Sequence, residues 1–428
     1  MDALYKIDGN RLIINDGVTD LYQTEFHRDT TCVKSEFLGI EEICFPESLK
    51  CIHRFAFCNF ENLRKVEFPS SLLYIEDNAF NDCENLAEIK FTEGLQTIGN
   101  DAFNMCCNLT KIDLPNSLQS IGSGAFGQCF RLTDIKIPDN VTSIMHDAFY
   151  CCINLTHIKL PDNIKYLYPY LFRGCAHLTE VCLPKNLMVI GEGVFEDCSA
   201  LKSIDIPDSV YSIKVGAFIR CTELREIRLP DKLNMIQEGV FQQCTSLNVY
   251  INNKLNFIDS YAFCGCENVT VKIPANTNIH VTKDSFKNSI NMTLEIGNRK
   301  GSWEKLSPNY TKSLYPIQFL IDPTYDNFIK IKDIDIKIKY ALKYNSLDKR
   351  FDTYLKKYPE KVLDCAIKEE NIEAVDYIID NKFISEKKID KCLDFAREGN
   401  FSEIFAMLVK YKEEIGGYEK DNSGRFEL

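Results

Sequence analysis

The sequence is poor in the features that would announce a chemistry. It has a single Trp in 428 residues, and no stretch of about 18 apolar residues that could span a bilayer. Cationic excess is missing too: the net charge is −12, which excludes an electrostatic footprint for nucleic acid or an anionic membrane. The first residues, MDALYKIDGNRLIINDG, carry no basic segment followed by an apolar one, so no secretory signal is read and a cytoplasmic location is expected. A signal peptide removed before this start would move that expectation to the cell surface or the extracellular space.

Catalytic constellations are also absent. The six histidines, His27, His53, His146, His157, His177 and His280, are scattered and none forms H-E-x-x-H. There is no G-x-S-x-G, no P-loop and no G-x-G-x-x-G opening a helix. No catalytic residue, metal ion or cofactor is expected, and the chain reads as a non-enzyme. Asn-x-Ser/Thr sequons at Asn108, Asn140, Asn154, Asn268, Asn291 and Asn309 would accept glycans only in a secretory pathway.

What is abundant is cysteine, and it is periodic. Starting at Ile52, a 23-residue unit recurs at Ile75, Ile98, Ile121, Ile144, Leu167, Ile190, Ile213 and Ile236 without insertion, followed by a 22-residue copy before Ile258 and a degraded one from Val281. Phe holds the sixth position from Phe57 to Phe286, and Leu the twelfth from Leu63 to Leu247. Cys83, Cys106, Cys129, Cys152, Cys175, Cys198, Cys221, Cys244 and Cys266 hold the ninth. The segment Leu-x-x-Ile-x-Leu-Pro alternates like a short strand and ends on a residue that cannot continue a ladder. One such unit cannot bury enough apolar surface alone, so neighbours must stack, each adding a parallel strand and a return arc. Equivalent cysteines on rungs about 4.8 Å apart point the same way, which distorts the torsion a disulfide needs. They are read as small buried hydrophobes. Cys107, Cys151 and Cys264 lie beside the ladder with no second pair or His at zinc-ligand spacing. The odd total of nineteen cysteines suits reduced thiols.

The phrase I-G-x-x-A-F-x-x-C-x-x-L-x-x-I-x-L-P-x-x-L resembles the BspA-like (Treponema-type) leucine-rich repeat over about residues 10–300. The resemblance implies an α/β repeat solenoid, a right-handed horseshoe of about a dozen rungs with a parallel sheet on its concave face. For function it implies protein interaction or adhesion. Residues 1–51, with Leu12, Ile14, Val18, Leu21, Phe26, Ile40 and Ile43 in repeat-like positions, read as an N-terminal cap. Residues 52–300 read as the solenoid and 301–328 as its linker and closing cap.

The two positions flanking each strand Ile should face outward. One column reads Glu42, Lys65, Glu88, Lys111, Asp134, His157, Glu180, Ser203, Glu226, and the other Cys44, Glu67, Lys90, Asp113, Lys136, Lys159, Cys182, Asp205, Arg228. Their alternating signs suit either a self-neutralising ladder or a mixed-charge recognition face. The alternation breaks at Lys136 and Lys159 beside His157, which places a contact there, among Lys111, Asp113, Asp134, Lys136, His157, Lys159 and Glu180. The sixth copy is anomalous: Tyr166, Tyr168 and Tyr170, with Tyr150 nearby, form a candidate aromatic patch.

From residue 329 the apolar period becomes helical. The stretches 363–381 and 393–411 read as two helix-turn-helix copies, and Ala396-x-x-Gly399…Ile404…Met407-Leu408 weakly resembles part of an ankyrin repeat, without its Thr-Pro-Leu-His signature. This defines a small all-α ankyrin-like module over 329–414, ahead of a tail at 415–428. The expected function is a monomeric scaffold for a protein partner, with a secreted adhesion protein binding host or matrix protein or carbohydrate as the alternative.

Overall fold

The computed structural model describes residues 4–29, 32–274, 279–282, 284–296, 299–305, 337–338, 341, 350–368, 372–380, 384, 386–399 and 401–414. The expected linker beyond residue 305, the start of the helical module at 329–336 and the tail at 415–428 lie outside the described residues. The chain divides into two compact units, Met1–Lys312 and Ser313–Leu428.

The first unit is a parallel-strand solenoid of about 11 turns. Most turns contribute a three-residue strand, as in Lys65–Glu67, Glu88–Lys90 and Lys111–Asp113. Consecutive strands pair with equivalent residues opposed, Glu42 with Lys65 and Lys65 with Glu88. The 23-residue period is therefore the ladder register itself. A second ladder of two-residue strands, among them Tyr74–Ile75, Thr97–Ile98 and Ser120–Ile121, stands where the sequence leads one to expect only a return arc. Two residues are too short for alternation to register as a strand signal.

Between these ladders lies the turn that carries Ala-Phe and Cys. The Phe rings from Phe57 to Phe286 form one continuous stack, with neighbouring centroids 5.2–6.0 Å apart and planes within 22° of parallel. The stack is bonded through its backbone as well: the Phe80 amide donates to the Ala102 carbonyl at 2.8 Å, and Phe103 does the same to Ala125. Each ladder thiol closes the contact from the other side. Cys106 donates to the Phe80 carbonyl at 3.3 Å, Cys152 to Phe126 at 3.1 Å and Cys198 to Phe172 at 3.2 Å. In the final turn Ser289 takes the cysteine position and its hydroxyl donates to Phe263. A buried position that needs a small side chain and a donor selects Cys or Ser, and the apolar surroundings favour the thiol. None of the nineteen cysteines is in a disulfide.

The turn imposes two left-handed positions per rung, at Asp101 (φ 51°) and Met105 (φ 60°), Asp147 (59°) and Cys151 (54°), and so on along the stack. Asp, Asn and Gly fill many of them because they tolerate that conformation. Met105 and Arg220 do not, and each costs about 1–2 kcal/mol. Gly122 serves another purpose: a Cβ there would lie 2.5 Å from the Gly99 carbonyl carbon, so the Ile-Gly of the repeat lets adjacent backbones touch.

Both ends of the first ladder are closed by antiparallel hairpins. Tyr5–Asp8 pairs with Arg11–Ile14 at the start, and Ile290–Ile296 pairs with Arg299–Lys305 at the end. The hairpins cover the parallel rungs at either end, so that the sheet edges are the outer hairpin strands Tyr5–Asp8 and Arg299–Lys305.

In the second unit, helices Pro359–Lys368, Ile372–Asp380, Glu386–Glu398 and Ser402–Glu414 form two successive hairpins. The expected copies at 363–381 and 393–411 each straddle one of these hairpins. The first helices of the two pairs pack on each other, as do the second helices. Leu363, Ala366, Val375, Ile378, Ile389, Ala396, Ile404 and Leu408 supply the buried face.

Phe149→Ala is expected to destabilise the first unit by about 3–5 kcal/mol through the cavity it opens in the stack, while Tyr166→Ala stays within about 0.5 kcal/mol, both read by denaturant unfolding. Burial pushes the ladder thiols Cys83, Cys106, Cys129, Cys175, Cys198, Cys244 and Cys266 well above the ordinary thiol value of 9.0. The folded chain therefore keeps protons that the unfolded chain gives up. The resulting stability is complete below pH 9.0 and declines as pH rises beyond it, so the urea midpoint should fall with increasing steepness on the alkaline side.

Candidate interaction surface

The outward columns of the first ladder are placed by strand alternation. In Lys111–Asp113 and His157–Lys159 the flanking residues are exposed and the central Ile is buried. The same holds at Glu88–Lys90 and Glu226–Arg228, and at Glu180–Cys182 with Val181 as the buried central residue. All seven candidate residues of the charged face thus stand on one side of one ladder.

Their electrostatics differ along its length. Towards the N-terminus the charges are matched: Arg11 with Glu42 at 3.0 Å, Lys65 with Glu88 at 3.1 Å, and Lys90 with Glu67. The Lys90 ammonium holds the Glu67 carboxyl below its ordinary range. In the middle, Lys111 reaches Asp113 at 3.8 Å and His157 reaches Asp134 at 3.5 Å. Lys136, Lys159, Glu180, Asp205, Glu226 and Arg228 have no ion-pair partner among the described residues. The ladder hydrogen bonding is interrupted first between Glu88–Lys90 and Lys111–Asp113 and again between Asp134–Lys136 and His157–Lys159, which belong to separate sheets. Lys136 and Lys159 are successive members of one column, and like charges at neighbouring ladder positions repel.

A third interruption follows Glu180–Cys182. The next rung contributes only a bridge, Ser203 to Glu226, and opens a groove of about 440 Å³ lined by Asp205, Pro207, Asp208, Glu226, Arg228 and Pro230, among others. Nothing in the repeat pattern marks this rung as different, because Leu201, Ile204 and Pro207 keep their positions.

The four tyrosines do not form one patch. Tyr166, on the second ladder, and Tyr168, just beyond it, are exposed; Tyr166 pairs with Val189 and Val189 with Ser212. Tyr211 and Val215, two rungs on, are exposed as well. Tyr150 and Tyr170 sit in the turn instead, and the Arg173 guanidinium lies 5.9 and 5.5 Å from their ring centroids. Hydrogen bonding to Glu192 at 2.5 Å pushes the Tyr170 hydroxyl up to about 12. Arg173 also meets Glu196 at 3.1 Å, and Arg220 binds Glu196 at 2.8 Å as well as Asp197. The hydrogen bonds from Arg220 hold the Asp197 carboxyl below its ordinary range. Reading the sequence copy by copy missed this network, although Arg173, Glu196, Asp197 and Arg220 fall at positions seven and eight of consecutive copies. Proline at position three (Pro169) and a left-handed Tyr170 (φ 60°) separate the two pairs of rings.

With this geometry in hand, the comparisons are decisive about family. Residues 31–153, 96–222, 142–270 and 188–300 match the BspA type Leucine rich repeat region. The chain belongs to the BspA-type leucine-rich repeat family. Similar solved structures include a leucine-rich repeat protein of T. pallidum, with 29% identity over 46% of this chain and 86% of that one, at a TM-score of 0.37. The pneumococcal vaccine antigen PcpA shares 21% identity over 68% of this chain and 91% of its own, at 0.43. A leucine-rich cell surface protein of Faecalibacterium prausnitzii shares 22% over 70% and 94%, at 0.37. No curated protein matches the sequence. No described helix of this BspA-type chain is long and apolar enough to cross a membrane.

If ion pairing sets the charged columns apart, Lys90→Ala should lower the urea midpoint slightly in dilute buffer. That difference should vanish in about 1 M salt, where screening acts within about 3 Å. Lys136→Ala should leave the midpoint unmoved at either ionic strength.

Proposed function

We propose that this BspA-type solenoid is a non-enzymatic, monomeric scaffold that binds a protein partner through the outward face of its three-residue strands, between Lys111 and Arg228. The observation that carries this reading is the change from matched to unmatched charge along the ladder. Where charges are paired within the chain, their fields are satisfied internally. At Lys136, Lys159, Glu180, Asp205, Glu226 and Arg228 they stand ready for an outside partner, beside a sheet interruption and a groove. Rigid strands present these groups without a large ordering cost, which favours affinity per contact. The partner's complementary surface would carry acidic groups against Lys136 and Lys159 and basic groups against Asp205 and Glu226, an arrangement that steers association more than it adds affinity.

A reducing compartment, the cytoplasm, is proposed for the protein. The support is the ladder of nine buried cysteines, whose thiols serve as hydrogen-bond donors to Phe carbonyls and so need to stay reduced, as thiols are in the cytoplasm.

The experiment is affinity capture from the source cell with the wild-type chain and the double variant Lys136→Glu plus Lys159→Glu, with Lys185→Glu as a charge-reversed control on a strand-flanking turn. Loss of the captured protein by the double variant alone supports the proposal, and unchanged capture with the fold intact refutes it. Mass spectrometry of unreduced protein tests the compartment: native alkylation should label the exposed Cys32 and Cys182 while ladder cysteines label only after denaturation. Recovery of disulfide-linked peptides would overturn the cytoplasmic assignment.

A further inference from the structure

The outward column of the second ladder is mostly hydroxyl and aromatic, but its N-terminal end is different. Asp20 and Cys51 are register partners on adjacent strands. His53 lies two residues beyond Cys51, and Glu76 occupies the position equivalent to His53 one rung further on. Tyr22 stacks flat on the imidazole, with centroids 4.1 Å apart and planes 8° from parallel. Under this cover Cys51 is only 7% exposed, although its column faces outward. Carboxylate oxygen of Asp20, thiol sulfur of Cys51 and ring nitrogen of His53 all lie within 4.8 Å of one another.

We propose that Asp20, Cys51 and His53 form a site for a divalent zinc-type cation that fastens the N-terminal cap to the first regular rung. Three kinds of donor converge from two rungs, and each has a definite role. The His53 Nε2 faces Asp20 Oδ1 at 3.1 Å, while Nδ1 faces Glu76 Oε2 at 3.1 Å. Glu76 is thus placed to accept the Nδ1 proton and leave Nε2 as the ligating atom, the arrangement by which a carboxylate orients a metal-bound histidine. A tetrahedral zinc with bonds of about 2.0–2.3 Å needs its donors about 3.3–3.8 Å apart, so the Asp20–His53 edge is already close and Cys51 closes by about 1 Å. Water completes the fourth position. A thiolate and an imidazole select zinc or cobalt over calcium and magnesium, which take oxygen donors. Burial, with Glu76 and Asp20 close by, pushes the Cys51 thiol up to about 12. A cation there reverses that cost, since the coordinated sulfur binds as thiolate and its proton leaves to solvent. The sequence pattern hides the site because Asp20 and Cys51 are 31 residues apart in an irregular copy, and Cys51 lies outside the ninth-position ladder.

The test is titration of the reduced full chain with Co²⁺ and then Zn²⁺, followed by absorption spectroscopy, calorimetry and thermal unfolding. The expected result is one tight equivalent per chain, a sulfur-to-cobalt charge-transfer band displaced by Zn²⁺, and a rise of several degrees in the unfolding midpoint. Cys51→Ser should abolish the band and weaken binding at least tenfold. His53→Ala should weaken it similarly, and Glu76→Gln should cost about 10–100-fold, the range for an orienting group. A wild-type chain without a tight equivalent, or a band and affinity that survive Cys51→Ser, would overturn the proposal. Far-UV circular dichroism identifies any variant that fails to fold, in which case the Cys51→Ser spectrum, read on the folded variant, decides.

Discussion

Contact between consecutive Ala-Phe-x-x-Cys turns is the interaction on which the rest of the solenoid depends. Each Phe ring rests on the next, its amide donates to the carbonyl preceding the next Phe, and its carbonyl receives the thiol of the following rung. These three contacts fix both the spacing of the rungs and their rotation about the stack. The two strand ladders inherit their register from that geometry. So do the left-handed positions, which a packed neighbour on each side holds in place at non-glycine residues such as Met105 and Arg220. Stability in such an array is a sum of nearest-neighbour terms. A defect in the stack is therefore felt by two interfaces, while a change on the outward columns removes at most an exposed ion pair between neighbouring rungs.

That separation explains how the surface can vary. The inward positions are occupied by the same few apolar residues in every copy, and the columns flanking them are free to carry charge. Over the first rungs the charge is spent on internal ion pairs. From Lys136 onward it is not, and the hydrogen-bonded ladder is interrupted twice in the same stretch. A regular parallel sheet would present a uniform surface. Interruptions and unmatched charge give this one a distinct region with its own shape and sign.

Much of the fold was legible in the residues. The period, the buried Phe and Leu positions and the outward columns follow from spacing alone, because stacked rungs repeat their environment and so repeat their side chains, and the helices of the second unit follow from the helical apolar period. Family membership rests on the same signal. Less legible was the second ladder, whose two-residue strands are too short to show alternation. The division of Tyr150 and Tyr170 from Tyr166 and Tyr168 was hidden too, because it depends on the left-handed turn at Tyr170. The loosened rung at Ser203–Asp205 keeps its apolar positions and so looks ordinary in the sequence.

The amino-acid sequence by itself determined which side chains face inward and which face outward, since period and alternation are local properties of the chain. Only the tertiary structure decided which outward groups meet. Ion pairing at Lys90 with Glu67, the arginine network around Glu196, and the convergence of Asp20, Cys51 and His53 all join residues 20 or more positions apart. Their distances depend on the pitch and stagger of the stacked rungs, and the free energy of a charged or metal-binding contact depends on those distances within an ångström.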